Sequence, residues 1–433
     1  MGEIWLNVTQ MADFRRQPTV AIEGEGIEVV TSDGRRLLDG TSAAMVTSLG
    51  YSDEAVVAAM TDQLGRLPFW PVLHGTSDVA LALTEKLNEV LPGDLGHVFL
   101  LSGGSESTET AIKMARQYHF VSGHPERTKI IGRYGAYHGA TMGALSASGL
   151  KSKTVFGPLV PDMLHVPPPD CRNCPVGHEC SAGCDLGCLR ILEQVIAAEG
   201  RGSIAAVIVD PVMAAAGIII PPPTYYQRVR EICGEDILLI FDEVLTGFGR
   251  VGEWFAADHY GVVPDIICLG KGLSAGYAPL AATVARPFVA EAFDSAGAAF
   301  QHIHTYGGHP VAAAAGLATI EQLQARDLVA ASRRLGDRLG EGLRAVAAAV
   351  PEVGDVRCIG LLAGLELVDP ETGSRFARPL APRVVAHAAQ HEELLVRSTR
   401  DVVQIAPPLI STEDDIDRIL ERLERSLLAV LKA

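Results

Sequence analysis

The sequence predicts an α/β protein. A large domain with a mostly parallel sheet between helices is joined by a small α+β domain built from both chain ends. Three observations support this: short apolar runs in the middle of the chain, helical segments between them, and a different pattern at the two ends. The apolar runs are nearly continuous rather than alternating, which is typical of strands that are buried on both faces. Strands that alternate with helices favour a parallel sheet covered by helices on both sides.

Six apolar runs are the predicted strands of the large sheet. In chain order they are HVFLLS from His97, KIIGRY from Lys129, IAAVIVDP from Ile204, ILLIFDEV from Ile237, DIICLG from Asp265 and PLAATVA from Pro279. Helices are predicted between several of them, including the segments ESTETAIKMARQYHF and TYYQRVREIC. The Pro- and Cys-rich stretch 157–188 is expected to be a long insertion loop in the large domain.

The two chain ends follow other patterns. Residues 25–40 contain a strand-and-turn pattern in which the dipeptide Asp33-Gly34 predicts a hairpin. The region after residue 305 predicts an alanine-rich helix, an amphipathic helix, strands within IGLLAGLELV and VVQIAPPL, and a last helix from about 413 to 431. We therefore expect residues 1–58 and 312–433 to form the small domain and residues 59–311 to form the large one.

The composition excludes several classes of partner. The 433 residues are 48% hydrophobic and 20% charged, as in a globular protein with a large core. The formal net charge of −16 argues against nucleic acid and anionic membranes, because both bind clustered Lys and Arg. The sequence indicates neither a signal peptide nor a membrane-spanning run. We expect a cytoplasmic protein with no nucleic-acid or membrane partner.

Five of the eight cysteines lie within the segment DCRNCPVGHECSAGCDLGC. The spacing of Cys171, Cys174, Cys180 and Cys184 is compatible with zinc, but a second well-separated C-x-x-C pair is missing. We favour a surface insertion whose thiols stay reduced, with a local disulfide as a variant of that interpretation and zinc as the less favoured alternative. No other metal site is expected.

The run ILLIFDEV ends in two adjacent carboxylates, Asp242 and Glu243. Because an unpaired buried carboxylate is costly, a cation is expected to meet one of them. Lys271 is the one lysine of seven that follows a predicted buried strand and stands between glycines. A lysine in this position is either the partner of a buried carboxylate or a nucleophilic amine with a lowered pKa. The sequence gives no functional role for Glu243, so a structural hydrogen bond or ion pair is expected there.

The loop LSGGSES connects a predicted strand to a predicted helix. Its glycines allow the backbone to approach a ligand, and a helix N-terminus attracts phosphate. The loop matches neither dinucleotide nor ATP fingerprints, which leaves a nucleotide-dependent oxidoreductase as a remote alternative. Ligands of open α/β sheets bind at the carboxyl ends of strands, so this loop, the carboxylate and the lysine are expected in one crevice. Together they indicate pyridoxal phosphate.

Four motifs give the chain a resemblance to class III, or ω-type, aminotransferases of fold type I over essentially its full length. They are FDEVLTGFGRVGEWFAADHYGVVPDIICLGKGLSAGYAPLAA, SGGSESTETAIKMAR, YHG and HTYGGHPVAAAAG. The resemblance implies a pyridoxal-phosphate-dependent aminotransferase. Such an enzyme moves an amino group from an amine or an ω- or β-amino acid to a small keto acid, pyruvate or 2-oxoglutarate, by a ping-pong mechanism. A decarboxylase, epimerase or aminomutase on the same scaffold remains the alternative.

The resemblance also implies how the cofactor ring is held. Lys271 would form the Schiff base and then carry the proton between substrate and cofactor. Asp242 would hold the pyridinium nitrogen. Val244 would pack on one face of the ring and Tyr137 on the other, with His138 nearby.

At the phosphate end, the resemblance implies that Gly104 and Ser105 bind the phosphate group. Thr305 would join them from the neighbouring subunit, so that the enzyme is a homodimer with shared active sites. The dipeptide Asp210-Pro211 departs from the Glu-Pro that relatives often carry, so the contacts of that carboxylate are expected to differ here.

For the substrate, the resemblance implies a mobile arginine that binds a carboxylate. Arg397 occupies that place, and Arg400 is the alternative. A guanidinium suits this task because it makes two parallel hydrogen bonds to a carboxylate. Met45, Phe69 and Trp70 fall near positions that line the substrate pocket in relatives, although a core role explains them nearly as well. Well-known amine transaminases have an aromatic residue at the position of Met45, so the shape of the substrate pocket is expected to differ here.

Overall fold

The computed structural model describes residues 4–16, 18–177 and 184–432, so Cys180 of the predicted insertion lies outside the described residues. Within these ranges the strands form one sheet of seven strands and two sheets of four. The helices in the same ranges are α1 (Met11–Arg16), α2 (Ser42–Met45), α3 (Glu54–Arg66), α4 (Asp78–Asn88), α5 (Gly104–Val121), α6 (Met142–Ala147), α7 (Cys188–Glu199), α8 (Tyr225–Cys233), α9 (Ala256–Tyr260), α10 (Pro287–Ser295), α11 (Pro310–Ala325), α12 (Leu328–Ala349), α13 (Ala381–His391) and α14 (Glu413–Leu431).

The seven-stranded sheet is the centre of the fold. Its strands are β4 (His97–Leu101), β5 (Lys129–Arg133), β6 (Met163–Val166), β7 (Ile204–Val209), β8 (Leu238–Asp242), β9 (Ile266–Leu269) and β10 (Ala281–Ala285). Their spatial order is β4-β10-β9-β8-β7-β5-β6, and only β10 runs antiparallel to its neighbours. The predicted α/β class with a mostly parallel sheet is therefore confirmed, and each of the six predicted apolar runs contains one of these strands.

The edge strand β6 corrects one prediction. The stretch 157–188 was expected to be an uninterrupted loop, but Met163 to Val166 pair in parallel with β5. This strand is short and only half-buried along most of its length, as an edge strand is. Its four residues between prolines did not give the long apolar run that identified the other strands.

The central strands β7, β8 and β9 are buried along their entire length. Helix α5 packs against several strands of this sheet, which explains the apolar face within its otherwise polar sequence. Because most of the strands run in one direction, their carboxyl ends meet at a single edge of the sheet. No helix in the described ranges combines the length and apolarity that a membrane crossing requires.

Segments from the two chain ends meet in one of the two smaller sheets. Strands β1 (Ala21–Glu25), β2 (Glu28–Thr31) and β3 (Arg36–Asp39) form an antiparallel series, and β3 pairs in parallel with β13 (Leu394–Leu395). The other four-stranded sheet contains β11 (Val353–Ile359), β12 (Leu362–Leu367), β15 (Val402–Ile405) and β14 (Arg397–Thr399). The pairing of β3 with β13 supports a small domain from both ends, and the boundaries at 58 and 312 remain a proposal.

Candidate active site

A cavity of about 460 Å³ lies at the carboxyl edge of the large sheet. It is bordered by the segments that follow β4, β5, β7, β8 and β9. Seven of the residues that the sequence singled out line this cavity: Gly104, Ser105, Tyr137, His138, Asp242, Val244 and Lys271. The expectation that the glycine loop, the carboxylate and the lysine share one crevice thus agrees with the geometry.

Lys271 follows the buried strand β9 after a single glycine. Its φ of 41° lies in the left-handed region, which costs free energy for a residue with a side chain. Burial lowers the pKa of the Lys271 amine to about 8, although the charge of Asp242 acts in the opposite direction. The arrangement therefore favours a neutral, nucleophilic amine at a pH where most lysines are charged.

Asp242 is the last residue of β8, and it is only 6% exposed. Its Oδ2 atom lies 2.8 Å from Nδ1 of His138, and its Oδ1 atom accepts a hydrogen bond from the Val244 amide at 3.2 Å. The other ring nitrogen of His138, Nε2, is buried and has no partner among the described residues. The imidazole therefore fixes the direction of a carboxylate that faces the cavity.

Helix α5 begins at the cavity wall with Gly104. Its N-cap residue Gly103 is extended, and no side chain caps the helix there. A Cβ atom at Gly104 would lie 2.8 Å from Cγ1 of Val244, so the close packing of these two residues requires glycine. The Ser105 hydroxyl accepts a hydrogen bond from the Ala140 amide at 3.0 Å. The backbone amides of the first turn remain available for an anion.

Five predicted residues do not line the cavity. Met45 is buried beside it, and the next residue, Val46, contributes to the lining instead. Phe69 and Trp70 are more than a third exposed, and Phe69 packs against the Tyr306 ring at 6.0 Å. The remaining two, Thr305 and Arg397, are exposed. The roles that the resemblance gives to these five residues stay predictions, as does the alternative arginine, Arg400.

Other wall residues were not chosen as site residues from the sequence. Val212, Ala214 and Ala215 follow β7 and line the cavity with small apolar groups that carry no chemical signal. Asp210 precedes them; its position at a strand end drew attention to it in the sequence, but no role was assigned to it there. Its Oδ1 atom accepts a hydrogen bond from Nη2 of the buried Arg133 at 2.9 Å. Burial raises the pKa of the Asp210 carboxyl.

The Glu243 side chain does not line the cavity and binds the start of a helix instead. It is fully buried, and its two oxygens accept hydrogen bonds from the Ala256 and Ala257 amides at 2.7 Å each. The Thr246 hydroxyl donates a third at 2.8 Å. The two amides belong to the first turn of α9, whose N-terminus the carboxylate therefore satisfies. Burial raises the pKa of Glu243 to about 7.

The cysteine segment lies apart from the cavity. Cys171, Cys174, Cys184 and Cys188 line a separate small cavity, and burial raises the pKa of the Cys188 thiol to about 11. Among the residues the structure describes, no three His, Cys, Asp or Glu side chains form a group able to hold a metal ion. Since Cys180 is not among them, the reduced-thiol, disulfide and zinc hypotheses all stay predictions.

Comparison with known proteins extends the similarity along the whole chain. The profile described as aminotransferase class-III matches residues 11–427. An omega-aminotransferase of Caulobacter vibrioides is 37% identical over 99% of this chain and 97% of its own length. A taurine–pyruvate aminotransferase of Bilophila wadsworthia is 36% identical over 99% of this chain and 95% of its own. A solved amine transaminase from an uncultivated Pseudomonas species, bound to pyridoxal phosphate, superposes with a TM-score of 0.94 at 34% identity, covering 99% of each chain.

Proposed function

The chain belongs to the class-III aminotransferase family, and on this premise we propose that it is a pyridoxal-phosphate-dependent ω-type transaminase. Its amino donor is an amine or an ω- or β-amino acid. Its acceptor is a small keto acid, pyruvate or 2-oxoglutarate. Donor and acceptor use the same cavity in turn, in a ping-pong mechanism.

One observation carries the proposal: a single cavity brings together a lysine, a fixed carboxylate and an uncapped helix N-terminus. These three groups match the three attachment points of pyridoxal phosphate, which are its aldehyde, its pyridine nitrogen and its phosphate. The buried Nε2 atom of His138 has no partner among the described residues, as expected beside a site that a ligand completes. The residues therefore fit the cofactor on which this family depends.

Lys271 is the residue that moves a proton in this proposal. Bound pyridoxal phosphate supplies a protonated ring that accepts the electron pair left on the substrate carbon. The neutral amine of Lys271 would take the proton from the substrate carbon that bears the nitrogen and would deliver the same proton to the cofactor carbon derived from the aldehyde. Asp242, oriented by His138, keeps a proton at the ring nitrogen.

The remaining residues of the set orient the cofactor. The backbone amides at Gly104 and Ser105 anchor the phosphate at the start of α5. Tyr137 and Val244 line the same cavity and pack against the ring from its two faces. A fixed ring lets the protein control which bond of the substrate carbon lies perpendicular to it, and that bond decides between amino transfer and decarboxylation.

Substrate selection and assembly follow from the exposed residues. Arg397 binds the carboxylate of the keto acid, and the name of the taurine–pyruvate relative supports pyruvate as that acid. Burial is the main cause of the lowered pKa of Lys271, and the charge of Arg397 acts in the same direction, which supports this role. We further propose a homodimer in which Thr305 of one subunit completes the phosphate site of the other.

A half-reaction tests the function. Mixing the enzyme with an amine donor and no keto acid stops a transaminase after one turnover, with loss of its visible absorbance. An epimerase continues to turn over, and a decarboxylase releases carbon dioxide. Replacing the nucleophile in Lys271→Ala abolishes turnover and the visible absorbance together, and Lys271→Arg keeps the charge without restoring either. Normal turnover by Lys271→Ala would disprove the assignment.

A further inference from the structure

Arg250 is a buried arginine that the proposed reaction does not use. Arg250 is 3% exposed and lies in the turn region that follows β8. The three acceptors of its guanidinium are all uncharged: the carbonyl oxygens of Leu361 and Pro407, at 2.8 and 2.7 Å, and the Ser42 hydroxyl at 3.0 Å. Burial lowers the pKa of Arg250 to about 10, and only Asp39 offsets this effect. Burying a cation without a carboxylate partner costs free energy, so we expect the hydrogen bonds of Arg250 to serve a structural role.

The three acceptors come from three separate segments. Ser42 belongs to the amino-terminal part of the chain, Leu361 lies between β11 and β12, and Pro407 follows β15. The backbone of Arg250 adds a further contact, because its carbonyl oxygen accepts the Leu361 amide at 3.1 Å. The Ser42 hydroxyl in turn donates to the Ala406 carbonyl at 2.7 Å. One guanidinium thus fastens segments from both chain ends to the large sheet.

The segment that contains Ser42 is the short element α2, whose backbone angles are not helical throughout and are strained. Ser42, Ala43 and Met45 have φ values of 47°, 57° and 61°, a region that residues with side chains rarely occupy. Such backbone persists only where its surroundings hold it. The Ala43 amide donates to Oδ2 of Asp39 at 2.7 Å, and the guanidinium of Arg250 donates to the Ser42 hydroxyl. Two buried charged groups therefore hold this turn from its two sides.

The strained turn leads directly into the cavity wall. Val46 follows Met45 and lines the same cavity as Lys271. The amide of Val46 donates to the Ser42 carbonyl at 2.8 Å, so a shift of Ser42 is passed to Val46 within one turn of chain. The reacting groups themselves lie on the other segments that border the cavity.

We propose that Arg250 is a positioning residue that, through Ser42, holds the strained turn 42–45 against the cavity and thereby sets the shape of the substrate site. It touches neither the substrate nor the cofactor. The substrate part of this inference rests on the proposed function, whereas the structural part, the tethering of the turn, does not.

Three substitutions test the tether. Ser42→Ala removes the hydroxyl contact and leaves the two carbonyl contacts of Arg250 in place. Arg250→Lys keeps the charge but cannot reach all three acceptors, and Arg250→Gln removes the charge. Arg333→Gln is the matched control, because that arginine is also hydrogen-bonded to this region, at Gly252, yet is largely exposed.

The kinetic expectation is a separation of KM from kcat. Ser42→Ala and Arg250→Lys each raise the KM of the amine donor about 10-fold while kcat stays within about threefold, because lost hydrogen bonds to a charged group reposition the wall and not the reacting atoms. The control variant behaves as the wild type. Equal losses in kcat and kcat/KM with unchanged KM would overturn the inference, since a positioning role at the substrate wall does not produce them.

Hydrogen exchange provides the readout that does not depend on turnover. In the full-length enzyme without substrate, the amides of residues 41–47 exchange about 10-fold faster in Ser42→Ala and Arg250→Lys than in the wild type or in Arg333→Gln. Unchanged exchange in both variants overturns the tether, even if the enzyme is a transaminase. Faster exchange in a protein without transaminase activity refutes the proposed function and keeps the tether. Arg250→Gln is expected to show at least the same increase in exchange; if the Arg250 variants fail to fold, Ser42→Ala alone decides.

Discussion

At the residue scale, two neighbouring carboxylates have different roles because their surroundings differ. Asp242 and Glu243 are neighbours in sequence, yet one faces the cavity beside His138 and the other caps a helix. Alternation along an extended backbone directs them to opposite sides, so their adjacency carries no functional meaning. From the sequence, the strand-end position identified Asp242, whereas the two backbone amides that Glu243 caps belong to Ala256 and Ala257, 13 and 14 residues further along the chain, and gave no local signal.

The pKa of Lys271 gives a prediction at the same scale. Because burial lowers it to about 8, roughly a tenth of the amine is neutral at pH 7, against fewer than one in a thousand for an ordinary lysine. Only the neutral form attacks an aldehyde. The rate at which cofactor-free enzyme captures pyridoxal phosphate therefore rises about 10-fold per pH unit below pH 8 and levels off above it. Stopped-flow absorbance measures this rate, and a rise that continues to pH 10 would show an ordinary lysine.

At the scale of the element, the stability of a short helix depends on which groups accept hydrogen bonds from the backbone amides of its first turn. Helix α9 has only five residues, too few to be stable alone. The Glu243 carboxylate accepts hydrogen bonds from two backbone amides of its first turn. The sequence predicted the buried strands well, because apolar runs show in the sequence itself. It missed β6 and could not show the cap of α9, because both depend on partners that are distant along the chain.

Replacing Glu243 tests the cap. A glutamine offers one acceptor oxygen in place of two, so Glu243→Gln leaves an amide unsatisfied and lowers the free energy of unfolding by about 1–3 kcal/mol. Calorimetric melting of holoenzyme measures the loss, with the exposed helical Glu321→Gln as a control that leaves stability unchanged. A melting temperature equal to that of the wild type would mean that the cap contributes nothing.

The same residue also has a pH signature. The folded-state pKa of Glu243 is raised to about 7 from an ordinary 4.5, so its protonation favours the folded state. That stabilisation is present below pH 4.5 and is lost as pH rises through 7. The stability difference between the wild type and Glu243→Gln is therefore larger at pH 5 than at pH 8. The opposite order would show that the three hydrogen bonds to the carboxylate outweigh its burial.

At the scale of the whole molecule, exposed apolar side chains occur in two short stretches of the chain, 69–73 and 303–306, which meet through one ring contact. Phe69, Trp70, Leu73, Ile303 and Tyr306 are each 38% exposed or more. The Phe69 and Tyr306 rings are neighbours, and Thr305 precedes Tyr306. Exposed apolar patches commonly mark protein interfaces. The surface agrees with the proposed homodimer, although the resemblance and not the composition predicted it.

Assembly can be measured directly. If the proposed homodimer forms, we expect sedimentation of the wild type to give a mass twice the 45.9 kDa of the chain. Placing a charge in the patch with Leu73→Asp or Tyr306→Asp shifts the enzyme to 45.9 kDa and removes activity, because each subunit then lacks its partner's contribution to the phosphate site. Phe120→Asp, which also charges an exposed aromatic position but lies at the end of α5, stays dimeric. An active monomer would refute the shared site.

The pairing of β3 with β13 has a consequence for synthesis of the protein. The amino-terminal hairpin leaves the ribosome early, but the strand that completes its sheet is translated only near the end of the chain. At about 5–20 residues per second, the nascent hairpin waits for tens of seconds with one edge unpaired. The open edge of β3 can be paired only after Leu394 and Leu395 have left the ribosome, so until then the amino-terminal hairpin offers an unpaired strand to chaperones.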